Sequence, residues 1–298
     1  MKIQLKDAVK NSGFFMEGYF VWCGSVVKEN GIYYMFASRW KKETKFPWGY
    51  MTNSEIVLAK TEDLTKPFVF DRVIITQRPG GYWDSVMAHN PTIVKTEKGY
   101  YLYYIGSSDG TTETRAIGFA FAETLDGPWH RNDQPLALPA DSNNPAVIKT
   151  AEGKVLLFFR DGKLKVSVAE AEDYEGPFQI VEPNVFPSAP IEDMFVFPMG
   201  SEYGMFCEDA RGYFTGLKKG GMFFRSKDGI HWEESSAEKA YGFEIPFEDG
   251  TVLQLQRRER PMILFDGDKK YLFTACKMDG ETILEGGTTG NMVQQIEF

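Results

Sequence analysis

The chain has 298 residues, 43% of them hydrophobic, which is ample for a sizeable core within one large domain. Its formal charge is −9, from 33 Lys and Arg against 42 Asp and Glu, and a surface of that sign repels nucleic acid and anionic membranes, so neither is expected as a partner. Three widely spaced cysteines, Cys23, Cys207 and Cys276, exclude a disulfide framework and lack the pattern of a zinc site.

The N-terminal MKIQLKDAVKNSG lacks the apolar run of a secretory leader, and no stretch approaches the ~20 apolar residues of a membrane span. The expected location is therefore cytoplasmic, or secreted or periplasmic if a leader was removed. From Val21 the segment VWCGSVVKENGIYYMFASRW pairs an apolar strand with an aromatic one across a turn. The unit returns more clearly as SVMAHNPTIVKTEKGYYLYYIGSS from Ser85 and DSNNPAVIKTAEGKVLLFFRD from Asp141. Two further copies are IEDMFVFPMGSEYGMFCED from Ile191 and RERPMILFDGDKKYLFTAC from Arg258.

Each copy opens on a polar cluster, near Trp22, His89, Asn144, Glu192 and Glu259. Between copies lies a second hairpin with a constant grammar: an apolar strand ending in Ala or Ser, a turn with Asp and Gly or Pro, then an aromatic. Trp129, Phe178 and Trp232 fill that aromatic place and are expected to pack between sheets. Helical periodicity is nearly absent. Five repeats of two hairpins predict an all-β chain, a five-bladed β-propeller over residues 1–298, with longer gaps taken up by loops. The Gly-rich stretch from Ile283 leads into MVQQIEF, which is expected to complete the last blade or pair with the N-terminus and so remove a sheet edge.

The five-copy hairpin, the openings with Pro, and the turns DGPW and KDGIHW resemble the five-bladed propeller glycosidases of glycoside hydrolase family 43 and its relatives, including family 117. The resemblance implies a pocket on the propeller axis in which two carboxyls flank a glycosidic bond, one protonating the leaving oxygen and the other activating water or attacking the sugar. Glu192 matches the Glu of a family Glu-Gly-Pro phrase, followed here by Asp193 and Met194; Glu259 matches it again, with Arg260 in place of the Gly. The Asp-Pro phrase that supplies the family's base is missing: the first blade opens Trp22-Cys23-Gly24, and Asn90-Pro91 and Asn144-Pro145 carry Asn. Another acid must then serve, and Asp193, Asp209, Asp84, Glu17 and Glu55 are the candidates, with turn or capping roles as the competing reading for Asp84 and Asp209.

Candidate catalytic residues are thus Glu192, Asp193, Glu259, Asp209 and Asp84; candidate substrate contacts are Trp22, His89, Asn90, Asn144, Arg160, Arg258 and Arg260. Aromatics at Trp40, Phe46 and Trp48 in the first-blade insertion, with Tyr82, Trp83 and Phe195, suit sugar stacking or ordinary packing. Arg39 and Arg160 end aromatic strands and are expected in equivalent places. No cofactor is required; the resemblance leaves open a central calcium ion near His89. The expected partner is a carbohydrate. Two rival readings remain: a glycoside phosphorylase using Arg258 and Arg260 for phosphate, and a non-catalytic sugar-binding propeller.

Overall fold

A computed structural model describes residues 2–78, 80–278 and 287–298. The alternation read in the sequence becomes four four-stranded antiparallel sheets and a fifth of six strands, arranged as a five-bladed propeller. The first blade runs from the axis outward through Tyr19–Glu29, Ile32–Lys41, Glu55–Thr61 and Val69–Ile75. The second runs through Met87–Lys95, Tyr100–Ser107, Ala116–Ala122 and His130–Arg131, and the third through Asn143–Lys149, Val155–Arg160, Val166–Ala171 and Gln179–Glu182. The fourth holds Ile191–Met199, Glu202–Asp209, Gly220–Ser226 and Glu238–Tyr241.

The fifth blade holds Val252–Asp266, Lys269–Met278 and Thr289–Glu297, and takes its outermost strand, Gln4–Leu5, from the other end of the chain. Gln4 lies opposite Glu297 and Leu5 opposite Ile296, so the ring is closed by backbone pairing between the termini. The MVQQIEF segment does both things expected of it, since Phe14–Phe15 also pairs with that strand. The Gly-rich lead from Ile283 lies partly outside the described residues. No helix among the described residues is long and apolar enough to cross a membrane.

The cores sit between adjacent blades, where the two faces of each sheet bury their alternating apolar residues. Trp129 meets Phe36 of the first blade edge-on at 5.3 Å, and Trp232 meets Phe158 of the third at 6.1 Å. Phe178 packs into the cluster between the second and third blades, so all three outer-hairpin aromatics are packing residues. The three cysteines are buried free thiols.

Candidate active site

Each innermost strand is interrupted at one equivalent place. Pairing with the second strand shifts between Trp22 and Ser25, His89 and Thr92, Asn143 and Ala146, Glu192 and Phe195, and Glu259 and Met262. Each bulge centres on one residue in the left-handed backbone region: Cys23, Asn90, Asn144, Asp193 and Arg260, with φ between 53° and 58°. Asn and Asp tolerate that conformation; Cys and Arg rarely adopt it, and it persists where the surroundings over-determine it.

The bulge turns those five side chains toward one another. The Cys23 thiol donates to Asn90 Oδ1 at 2.7 Å, Asn90 Nδ2 to Asn144 Oδ1 at 2.7 Å, and Asn144 Nδ2 to Asp193 Oδ1 at 2.7 Å. Arg260 donates to Asp193 from its backbone N–H at 3.2 Å and its guanidinium at 3.4 Å, and reaches the Cys23 thiol to close the circle. One residue from every blade thus forms a belt across the propeller axis.

The residue before each belt member points into a pocket on one side of it. In blade order these are Trp22, His89, Asn143, Glu192 and Glu259, all of which line the pocket. The third-blade opening is therefore Asn143; Asn144, one residue along, is the belt member, although its side chain also borders the pocket floor. The pocket is open at its mouth, and its empty space counted out to the solvent is about 580 Å³. The second strand of the first blade and the insertion after it supply an aromatic wall: Trp40, from the strand, stacks on Phe46 at 5.9 Å, and Tyr50, from the short helix Tyr50–Asn53, stacks on His89 at 4.3 Å. Trp48, from the same insertion, is 67% exposed outside the lining.

His89 is buried, its Nδ1 is 2.8 Å from Ser54 Oγ, and burial first, with Arg260 and Arg115 adding, pushes its pKa well below the usual imidazole value. It is a neutral donor or acceptor toward a ligand. Burial likewise pushes the Cys23 thiol well up, which removes it as a nucleophile. The acids share the pocket with this wall, and Arg257, over the Phe46 ring at 5.5 Å, links the two. Glu192 accepts from Arg160 at 3.3 Å, and Arg160 also donates to Asn143 Oδ1 at 3.2 Å. Glu259 lies 3.1 Å from Arg257 Nε and 3.6 Å from Lys219 Nζ. Burial raises the Glu259 carboxyl while those two cations oppose the rise. Beneath Glu259, and 1% exposed, is Glu208, which accepts from Lys219 at 3.0 Å.

Strand alternation decides which of the expected residues reach this place. Arg258 turns away between Arg257 and Glu259: it is 1% exposed, donates to Gln294 at 2.6 Å and Thr274 at 3.2 Å, and lies over the Tyr241 ring. It contacts no pocket space, and Arg257 is the arginine that does. Asp209, adjacent to Glu208, faces the other way and caps a loop by accepting from the backbone of Tyr213, Phe214 and Thr215. Asp84 is fully buried outside the pocket, where Arg78, Arg131 and Tyr104 saturate it. Glu55 is paired with Arg39 at 2.7 Å, and neither lines the pocket. Arg39 and Arg160 are not equivalent, because Ser38 opposes Trp22 whereas Arg160 opposes Asn143. Trp83 packs on Tyr104, Tyr82 on Arg78, Phe195 lines a separate cavity on the far side of the belt, and Glu17 is outside the pocket.

Arg115, Arg257, Glu208, Lys219 and Tyr50 were missed by sequence reasoning. Glu208 alone had a legible signal: in a repeat, the residue near the end of the second strand opposes the opening residue, as Arg160 opposes Asn143 and Glu208 opposes Glu192. Oxygens of Asp193, Glu208 and Glu259 lie within 4.8 Å of one another, the span of a cation site. Lys219 and Arg260 already bring positive charge to this cluster, and the belt spends its other donors on itself. Such a donor set does not fit calcium, which takes six to eight oxygens.

No protein-family model matches the chain, and no curated relative does. Solved structures do. A family 117 glycoside hydrolase, Zg3597 of the marine bacterium Zobellia galactanivorans, is 16% identical with a TM-score of 0.70, over 99% of this chain and 89% of that one. An exo-1,5-α-L-arabinanase from a bovine ruminal metagenomic library is 15% identical with a TM-score of 0.68, over 95% of both. A family 43 β-xylosidase/α-arabinofuranosidase from a compost metagenome, in complex with xylotriose, is 13% identical with a TM-score of 0.67, over 98% of this chain and 95% of that one. At these identities the likeness establishes the five-bladed propeller they share.

Proposed function

We propose that the protein is a glycoside hydrolase acting on a small glycan or its non-reducing end, with Glu192 and Glu259 as its carboxyl pair. One observation carries the reading. The two glutamates hold the same bulge position on adjacent blades, and both open into one axial pocket that aromatic side chains also line. Hydrolysis of a glycosidic bond needs two carboxyls in one site, one giving a proton to the leaving oxygen and one activating water or attacking the ring. Arg257 and Lys219 favour the anion on Glu259, which suits a base or nucleophile. The donor's role then falls to Glu192, whose cation, Arg160, is shared with Asn143.

Trp22, Trp40, Phe46 and Tyr50 offer apolar faces for sugar C–H groups, while His89, Asn143 and Arg160 offer polar atoms for hydroxyls. Hydrolysis of aryl glycosides and oligosaccharides tests the reading. Glu192→Gln and Glu259→Gln should each lower turnover by about 10²-fold or more, and wild-type activity surviving both substitutions would sink the assignment.

The arginines bear on the phosphorylase alternative. All four that line the pocket already face a carboxylate: Arg115 with Asp141, Arg160 with Glu192, Arg257 with Glu259, and Arg260 with Asp193. A phosphate would have to displace one of these partners, so turnover independent of phosphate is expected. The sugar-binding alternative draws on Trp22, His89 and Asn143, which put no acid at the opening position of the first three blades. Glycan binding without hydrolysis across the same panel would favour it.

A further inference from the structure

Glu208 sits where a carboxylate is costly. It is 1% exposed, Lys219 is its hydrogen-bond donor, and its second oxygen, Oε2, is buried without a partner. An ionised carboxylate in such surroundings loses hydration that one cation does not replace. A protonated Glu208 instead carries a donor, and its neighbours are acceptors: oxygens of Glu259 and Asp193 lie within 4.8 Å. Glu259, by contrast, lines the pocket and has two cations, Arg257 at 3.1 Å and Lys219 at 3.6 Å.

We propose that Glu208 and Glu259 hold one proton between them, kept on the buried Glu208 while the pocket-facing Glu259 bears the charge, with Lys219 bridging the pair. Glu208 is then a positioning residue for Glu259. The direction of its own titration agrees: burial, with Glu259 and Asp193 adding, lifts the Glu208 carboxyl well above the usual range against the pull of Lys219. Glu192 acts on it in the same sense as Asp193, and Tyr241 is the ionisable group facing it from the outer strand of the blade. Glu259 also meets Arg260 and the neutral thiols of Cys23 and Cys276. The proton stays with the member that has less solvent and fewer cations, and the two carboxyls titrate as a pair.

The arrangement also gives Asp209 its purpose. By capping the loop after Glu208, and by accepting the Lys219 backbone N–H on its carbonyl at 2.7 Å, it delivers Lys219 to the two glutamates.

Carbon-13 NMR of Glu side-chain carboxyls in the intact protein tests this without substrate, so it can fail while the hydrolase reading stands, and the reverse. Only the description of Glu259 as a base rests on that reading. In the wild-type protein one Glu carboxyl should titrate far above the ordinary range. Glu208→Gln, which keeps the shape, should remove that step, and Lys219→Met should move it further up. If every Glu in the wild type titrates normally, or if the high step persists in Glu208→Gln, the proposal is overturned.

Discussion

Asn90 Nδ2 donates to Asn144 Oδ1 across 2.7 Å, and both residues reach that contact only because their backbones are left-handed at the bulges of adjacent blades. The contact is one link of a belt that joins all five blades at the axis.

Breaking the belt should cost stability. Asn144→Ala leaves Asn90 Nδ2 and Asp193 Oδ1 short of a partner in a buried place, a loss of about 1–3 kcal/mol. Asn144→Gly loses the same bonds but accepts φ of 54° without strain, and should be less harmful by about 1 kcal/mol. Urea unfolding of the two variants checks the order; a Gly variant as unstable as the Ala variant would show that backbone conformation is not what the position selects.

Within the pocket, Glu192→Gln and Glu259→Gln should lower kcat by about 10²-fold or more. Asp84→Asn, which touches no pocket atom, should lower Tm through its lost ion pairs to Arg78 and Arg131 and leave kcat near the wild-type value. Steady-state kinetics below the Tm of each variant separates the two effects.

Arg258 is a structural residue. Arg258→Ala removes a buried guanidinium that donates to Thr274, Gln294 and the carbonyls of Gly242 and Glu244, and should cost about 3 kcal/mol. Arg258→Lys should not restore the loss, because an ammonium cannot span four acceptors in one plane. KM for a glycoside should be unchanged in whatever fraction folds.

At the rim, Asp228 accepts from the backbone of Ile230 and His231 and lies 2.7 Å from the His231 ring, and its pKa falls from 3.8 to about 2 even though burial opposes the fall. A carboxyl depressed in the folded state contributes stability that is present above pH 3.8 and is lost as pH falls toward 2. The stability difference between wild type and Asp228→Asn should therefore narrow on acidification through that window. A difference independent of pH would show that the pair has no net effect on folding.

The bulges explain why the pocket was only partly legible. Glu192, Glu259, His89 and Trp22 stood out because each opens a repeat, and a repeat marks equivalent positions. In the third blade two consecutive asparagines, Asn143 and Asn144, both suit an opening and both line the pocket, and only the extra bulge residue tells which of them joins the belt. Arg258 and Asp209 were plausible for their chemistry and wrong in orientation, because their neighbours Arg257 and Glu208 take the pocket side of the strand.

What the sequence determined by itself was the architecture: period-2 alternation, turn residues and five copies of one hairpin leave few ways to bury so many aromatics other than a ring of sheets. Which acids meet was decided only in three dimensions. Glu208, Lys219 and Glu259 are distant in the chain or hidden among other charges, and strand alternation, the equivalent bulge of each inner strand and the closing of the ring by Gln4–Leu5 bring them within a few ångströms. Local pattern records how a strand lies on its own sheet; the direction of its side chains toward a shared axis depends on the other four.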